Sequence, residues 1–335
     1  MDNGELGVYE INKPALPTIE EFASDVIDGL SCQKKNLKSK YFYDKRGSSL
    51  FEQICLQPEY YITRTEADIL REKSADIANI CPSDISMIEL GSGSSCKTRI
   101  LFEYILRKQN FLYYFPIDVS HSILLESVQK LSSDFSNLHA LGISSDYADG
   151  IDKAAELIAT QYHVPCRKLI LFLGSSIGNF ELTMARSFLN MIRDRMEKED
   201  LLLVGFDMQK EHSILNAAYN DKAGMTAKFN LNLLIRINRE LGGEFDIGKF
   251  SHHAFYNHDK GRIEMHLVSK ADQQVRIELI DKSFGFKKGE SIHTENSYKY
   301  SLKQIQTLAD KSGFELKNNF HDQKRWFDLA LLSPI

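Results

Sequence analysis

The sequence predicts an α/β fold: a doubly wound, Rossmann-like parallel sheet carrying an inserted α+β domain. Three observations predict it. Between residues 86 and 207, short apolar runs alternate with helix-spaced segments, the rhythm of successive βαβ units. A turn of small residues, "GSGSS", follows the first of those runs. After Asp207 the rhythm breaks into long helical stretches and period-2 strands, before a last helix and two more strands close the chain.

Each element has its own signal. "SMIEL" (86–90) is a short apolar strand ahead of the glycine turn, and residues 95–107 have helical spacing. "FLYYFPID" (111–118) is the next strand, and "SHSILLESVQKL" opens with Ser120 as a predicted helix cap. "NLHALGI" precedes the helix "IDKAAELIATQY". "KLILFLGSS" (168–176) is almost continuously apolar, as a strand buried on both faces requires. A helix at 181–196 and the strand "DLLLVGFD" (200–207) complete the alternating region. Residues 211–241 read as two helices, the second closed by Gly242-Gly243. "GRIEMHLVSK" and "QQVRIELIDK" alternate polar and apolar residues, predicting antiparallel strands. A capped helix from Ser301 then leads to "FELKNNFHD" and "RWFDLALLSP" as the final strands. The pattern places an insertion at 208–299 between the fifth strand and the sheet's C-terminal completion at 300–335.

Composition excludes several classes. Of 335 residues, 43% are hydrophobic and 26% charged, the balance of an ordinary globular protein. A net charge of -5 and an isoelectric point near 6.1 argue against a nucleic-acid partner. No run has the length to cross a bilayer, and "MDNGELGVYE" is acidic and lacks an apolar export core, so a cytoplasmic protein without membrane association is expected. Five scattered cysteines without C-x-x-C spacing fit reduced thiols and no zinc site. His252, His253 and His266 follow no ligand spacing either, so no metal is expected.

The turn in "IELGSGSSCKTRI" (88–100) admits two readings. From Gly91, "GSGSSCKT" is one residue away from the phosphate loop G-x-x-x-x-G-K-T, and "LLLVGFD" resembles its magnesium-holding strand. Cys96 stands where the second glycine belongs, and its Cβ obstructs the backbone wrap around phosphates. From Glu89, "ELGSGS" is the acid-then-glycine turn that cradles an adenosyl cofactor. That reading needs an acid ending the second strand for the ribose hydroxyls. Asp118 supplies it about 25 residues on, near the usual offset of roughly 20. "SSDY" (144–147) puts Asp146 at the end of the third strand region, where a carboxylate meets the adenine amino group. Cys96 is then a small packing residue beside the loop.

Beyond these motifs, the chain from about Lys40 resembles the histidine-specific, S-adenosylmethionine (SAM)-dependent N-methyltransferases of ergothioneine biosynthesis. The segments that carry the resemblance are "YFYDKRGSSLFEQI", "PEYYITRTE", "ELGSGSSCKT", "FLGSSIGNF", "AAYNDKAGMTAKFNLNLLIRINRELG", "HHAFYNHDKGRIEMHLVS" and "IHTENSYKYS". The resemblance implies a class I methyltransferase sheet at 64–207. It also implies that residues 1–63 join the insertion as the N-terminal part of a substrate-binding domain. SAM is the implied cofactor, S-adenosyl-L-homocysteine its product, and L-histidine the implied small-molecule substrate. A monomer is expected.

The resemblance also implies roles residue by residue. Gly91 lies in the cofactor loop, and Lys97 reaches the cofactor's carboxylate. Asp118 holds the ribose, Asp146 and Tyr147 the adenine, the latter position often being phenylalanine in the family. Tyr43 borders the reacting amine and the cofactor. Tyr60, Asn179 and Tyr219 grip the substrate's carboxylate and amine. Met265, Glu295 and Ser297 surround the imidazole. The residue types suit the chemistry. A neutral imidazole has one N–H donor and one bare acceptor nitrogen. Glu295 accepts from the first and the Ser297 hydroxyl donates to the second, which penalises amino acids lacking ring nitrogens. No residue is assigned as general base.

Several of these residues also have a bland reading. Tyrosines pack at seams, Met265 fills a core, Asn179 or Ser297 caps a helix, Glu295 pairs with a surface lysine, and Lys97 is solvated. Competing functions are methylation of another amino acid such as tyrosine or tryptophan, nucleotide hydrolysis, and non-catalytic adenosyl binding. Met265, Glu295 and Ser297 together favour histidine.

Overall fold

A computed structural model of the chain describes residues 7–11, 18–160 and 167–335. Strand β1 (Val8–Glu10) precedes helices α1 (Ile19–Ser31), α2 (Lys45–Cys55) and α3 (Ile62–Ile80). An alternating stretch follows: β2 (Ile85–Leu90), α4 (Arg99–Ile105), β3 (Leu112–Asp118), α5 (His121–Asp134), β4 (Leu138–Ala140), β5 (Gly142–Ser144) and α6 (Tyr147–Thr160). It continues with β6 (Arg167–Phe172), α7 (Leu182–Arg193) and β7 (Leu201–Asp207). Helices α8 (His212–Ala218) and α9 (Met225–Leu241) lead into β8 (Phe250–Asn257), β9 (Arg262–Ser269), β10 (Gln273–Ile277), β11 (Lys282–Phe286) and β12 (Ser291–Tyr298). Helix α10 (Leu302–Lys311) and strands β13 (Phe314–His321) and β14 (Phe327–Pro334) end the chain.

The chain divides into two units. One holds β1, Ile62–Met208 and Tyr300–Ile335, and is built on a sheet of order β1-β5-β3-β2-β6-β7-β14-β13, with β4 beside β3. All neighbours from β1 to β7 are parallel, whereas β14 runs antiparallel between β7 and β13. Every residue of β2 and β7 is buried, which explains why both read as unbroken apolar runs. Strand order reverses at β2, whose neighbours β3 and β6 lead to opposite sides of the sheet. Loops leaving the C-terminal ends of strands at such a point form the ligand crevice of open α/β sheets.

Two sequence expectations change here. Residues 8–10 do not join the substrate domain expected for 1–63: β1 pairs with β5 in parallel register, Val8 opposite Gly142, and extends the edge of the large sheet. Ser120 occupies the N-cap position of α5 without a side-chain cap bond. Its backbone N–H donates to Asp118 instead.

The second unit comprises residues 18–61 together with Gln209–Lys299. Its three-stranded antiparallel sheet, order β12-β9-β8, packs against α9, which also contacts α1 and α2. A separate hairpin joins β10 and β11. Asp44 ties the early segment to α9: its carboxylate caps α2 at Gly47 N (2.7 Å) and accepts from Asn232 (2.9 Å) and Arg239 (2.7 Å). Gly47 is required by close approach, since a Cβ there would overlap the Phe42 carbonyl. This accounts for the spacing of "YFYDKRG".

Candidate active site

In the sheet-bearing unit the chain leaves β2 through Gly91 (φ 67°) and Gly93 (φ 51°), left-handed conformations that glycine adopts without strain. The backbone N–H groups of Gly91 and Ser92 donate to Ile117 O at 2.8 and 3.2 Å, which binds the turn to the end of β3. Glu89 fastens the turn from within the sheet. Its buried carboxylate accepts from Thr98 Oγ1 (2.6 Å) and from the Tyr114 hydroxyl, which also meets Ser95 Oγ at 2.8 Å. Burial pushes the Glu89 carboxyl up to about 7 against the lowering effect of those bonds. The sequence reading took Glu89 as a marker of the turn and missed this anchoring role. A carboxylate preceding Gly-x-Gly and followed nine residues later by threonine was the available signal.

Asp118 ends β3 with Oδ2 accepting from Gly93 N and Oδ1 from Ser120 N, both at 3.0 Å. Burial raises its pKa above the usual carboxylate value, opposed by the backbone N–H groups of Ser120, Gly93 and Val119. Asp146 is exposed just before α6, where Oδ1 accepts from Asp149 N at 3.0 Å. The Tyr147 hydroxyl lies against the glycine turn, 3.3 Å from where a Cβ on Gly91 would stand. Beyond Gly93 the space within 4 Å of a Cβ position is open. The chain therefore forms a cradle of the kind an adenosyl group needs: an open glycine turn flanked by a carboxylate and an aromatic ring.

Lys97 makes an ion pair with Glu66, a fully buried residue of α3 whose other oxygen accepts from Gly174 N at 2.8 Å. Glu66 was not singled out from the sequence, because its partner lies 31 residues away in a different element. Cys96 is exposed and not packed beside the loop, a correction to the sequence reading. Asn179 closes a 3₁₀ turn, Ser176–Asn179, that follows β6 after the left-handed Ser175 (φ 59°). It thus belongs to the sheet-bearing unit.

The other expected substrate residues fall in the second unit. Phe42 stacks on Phe229 (4.5 Å between centroids), and this fixes Tyr43 edge-on to Phe229 (5.7 Å) and Phe51 (5.9 Å). Phe51 meets Tyr60 at 6.2 Å, and Tyr60 meets Tyr219 at 6.2 Å, both edge-to-face. Tyr60 is buried, which holds its phenol well above the ordinary value and therefore neutral. Tyr219 donates to Ser297 Oγ at 2.8 Å. Glu295 lies opposite the buried Met265 on β9. A β-bulge between His293 and Glu295 shifts the register so that His293 pairs with His266 and Glu295 with Met265. Bulges re-aim side chains in this way.

Glu295 makes no hydrogen bond or ion pair with any described side chain. Burial pushes its carboxyl up to about 7, while the nearby Lys299 charge lowers it. The surface lysine pair that would have made Glu295 ordinary is not there, and Ser297 lies within β12, where it caps no helix. Tyr219 is fixed by a second bond: its carbonyl meets His252 Nε2 at 2.9 Å, while Asn230 Nδ2 donates to His252 Nδ1 at 2.9 Å. Burial lowers the His252 pKa, so this ring is neutral and structural.

Residues 22–334 match the sequence model of a family described as "Histidine-specific methyltransferase, SAM-dependent". The chain belongs to this family. Histidine N-alpha-methyltransferase of Mycolicibacterium smegmatis is 36% identical over 93% of this chain and 94% of its own length. The protein of the same name from Mycobacterium tuberculosis is 36% identical over 92% and 93%. Ergothioneine biosynthesis protein 1 of Neurospora crassa is 32% identical over 84% of this chain and 31% of its own length. The chain is accordingly a SAM-dependent methyltransferase. None of its described helices is long and apolar enough to cross a membrane.

The family's SAM fits the residues present at that cradle. Among the described residues, one further cluster has ligand-like composition: atoms of Glu264, His266 and His293 lie within 4.8 Å of one another. Arg262 already binds Glu264 at 2.7 and 2.8 Å and Lys260 lies 3.7 Å away, so its negative charge is compensated. That compensation makes it a poor cation site.

Proposed function

We propose that this chain methylates the α-amine of L-histidine three times in succession, giving N-alpha-trimethylhistidine for ergothioneine biosynthesis. The observation that carries the reading is the β12 pair: an unengaged Glu295 carboxylate beside a serine whose oxygen is already occupied. A carboxylate and a hydroxyl two residues apart on one strand share a face. They match the donor and the acceptor of a neutral imidazole.

SAM, when bound, supplies an electrophilic methyl group on its sulfonium. Gly91 and Tyr147 would line its adenosyl end, Asp118 would accept from its ribose hydroxyls, Asp146 would face the adenine amine, and Lys97 would meet its carboxylate. The protein's remaining work is orientation and exclusion of water. Tyr60, Asn179 and Tyr219 offer donors to the substrate carboxylate without adding positive charge. Tyr43 borders the amine. An α-amine is largely protonated near neutral pH, so each transfer follows loss of a proton. The Tyr60 phenol, kept neutral by burial, brings no negative charge that would stabilise the ammonium form. The rings of Tyr43 and Tyr60 suit the fixed cation that accumulates as methyl groups are added.

Incubation with SAM and a panel of amino acids, read by mass, tests the reading. Histidine should gain three methyl groups while tyrosine and tryptophan gain none. Methylation of either of those in preference to histidine would overturn it.

A further inference from the structure

Lys299 is almost completely buried, at 1% exposure, directly beyond the end of β12. Its ammonium donates to Ser297 Oγ at 2.8 Å and to the Tyr219 hydroxyl oxygen at 3.1 Å, and lies 4.8 Å from the centre of the Tyr219 ring. An ammonium has three hydrogens and no lone pair, so it only donates. A serine hydroxyl has two lone pairs and one hydrogen. Tyr219 fills one lone pair of Ser297 and Lys299 fills the other. The single hydrogen of Ser297 is thereby turned away from both, and no described residue accepts it. Glu295, Ser297 and Lys299 alternate along one line, so they project to the same face. Titratable groups around them from other elements include Tyr60, after α2, Tyr219, at the end of α8, and Tyr256 on β8. Lys299 is the cation among these groups, and its charge acts on the Glu295 carboxylate.

From this geometry we infer that Lys299 is a positioning residue for substrate recognition. It forces Ser297 to act as a donor and its charge holds Glu295 as an acceptor, so that the pair reads one tautomer of a neutral imidazole. The inference rests on the proposed histidine reading and adds the element that sets polarity. Without Lys299, Ser297 is free to offer a lone pair to the ring and Glu295 is more readily protonated.

The test uses full-length Lys299→Met and Lys299→Arg proteins, with steady-state kinetics in histidine from pH 6 to 9 and S-adenosylhomocysteine binding by calorimetry. For Lys299→Met, KM for histidine should rise about tenfold at pH 7.5, the scale of a hydrogen bond to a charged group. The pH below which KM climbs should move upward by about one unit, as expected when an opposite charge is removed. Cofactor affinity should stay unchanged, and Lys299→Arg should restore both the wild-type KM and its pH profile. In a Ser297→Ala background the methionine substitution should cost less in KM than it does alone. A folded Lys299→Met protein with wild-type KM and pH profile would overturn the inference. If that variant does not fold, a folded Lys299→Arg protein with a displaced pH profile overturns it equally. Wild-type enzyme that leaves histidine unmethylated would instead remove the reading beneath it, so the two failures are separable.

Discussion

Replacing Glu295 with glutamine keeps the shape and one acceptor oxygen but removes the charge. The wild-type carboxyl, raised to about 7 by burial, is mostly ionised at pH 8 and only about one-tenth ionised at pH 6. A hydrogen bond to a charged acceptor contributes about 1.5–3 kcal/mol, against about 0.5–1.5 kcal/mol for a neutral one. At pH 8 Glu295→Gln should therefore bind histidine about tenfold more weakly than wild type. The sign follows from the raised pKa: the charged acceptor is present above about 7 and lost as pH falls through that value. Wild-type affinity should then drop about fivefold between pH 8 and pH 6, and the difference between the two proteins should shrink to about twofold at pH 6. Titrations of histidine by calorimetry across pH 6–8.5 measure this directly. Protonation of the free amino acid affects both proteins alike, so their ratio isolates Glu295. A ratio independent of pH, or equal affinities at pH 8, would refute the assigned role.

Other expectations are equally specific. Asp118→Ala should weaken S-adenosylhomocysteine binding while leaving histidine binding intact; an unchanged dissociation constant places the ribose elsewhere. Asp328 is fully buried with both carboxylate oxygens lacking hydrogen-bond partners, and burial alone raises its pKa from 3.8 to about 7. Folding takes up a proton there, so wild-type stability should fall as pH rises from about 4 to 7 and level off above. The full span is about 4 kcal/mol as an upper bound. Asp328→Asn should make that slope shallower, leaving the part that other raised carboxyls such as Glu89 and Glu295 contribute, in urea unfolding followed by the fluorescence of Trp326, the sole tryptophan; parallel slopes contradict the burial argument. A time course by mass should show mono-, di- and trimethylated histidine in succession; accumulation of only the first, with excess SAM, would limit the site to one transfer.

Much of the fold was legible because the parallel sheet is buried on both faces. Strands β2, β3, β6 and β7 announce themselves as apolar runs, and the capping box of Ser301 and Gln304 marks α10. What stayed hidden depends on distant partners or on breaks in periodicity. Strand β1 is three residues long and is defined only by β5, more than 130 positions away. "QQVRIELIDK" looks like one strand, yet a 3₁₀ turn at Glu278–Ile280 and the left-handed Asp281 (φ 44°) fold it into a hairpin. "KLILFLGSS" stops short as a strand because Gly174 (φ 78°) and Ser175 turn the chain.

The site shows the same division. Asp118 and the glycine turn could be read from offset alone, since both sit at strand ends in a repeating plan. Glu66 and Lys299 could not, because each matters through a partner its own motif does not name. Glu295 is the sharpest case. Strict alternation from His293 gives the face of the histidine cluster, whereas the bulge in "HTENS" directs Glu295 to Met265 instead. Sequence periodicity has no term for one extra residue, so only the resemblance singled it out.

The most direct measurement is a crystal structure of the enzyme with L-histidine and S-adenosylhomocysteine. One imidazole nitrogen should lie within hydrogen-bond distance of a Glu295 carboxylate oxygen and the other within reach of Ser297 Oγ, with Lys299 behind the serine. An imidazole held by other residues, with Glu295 directed to solvent, would contradict the account.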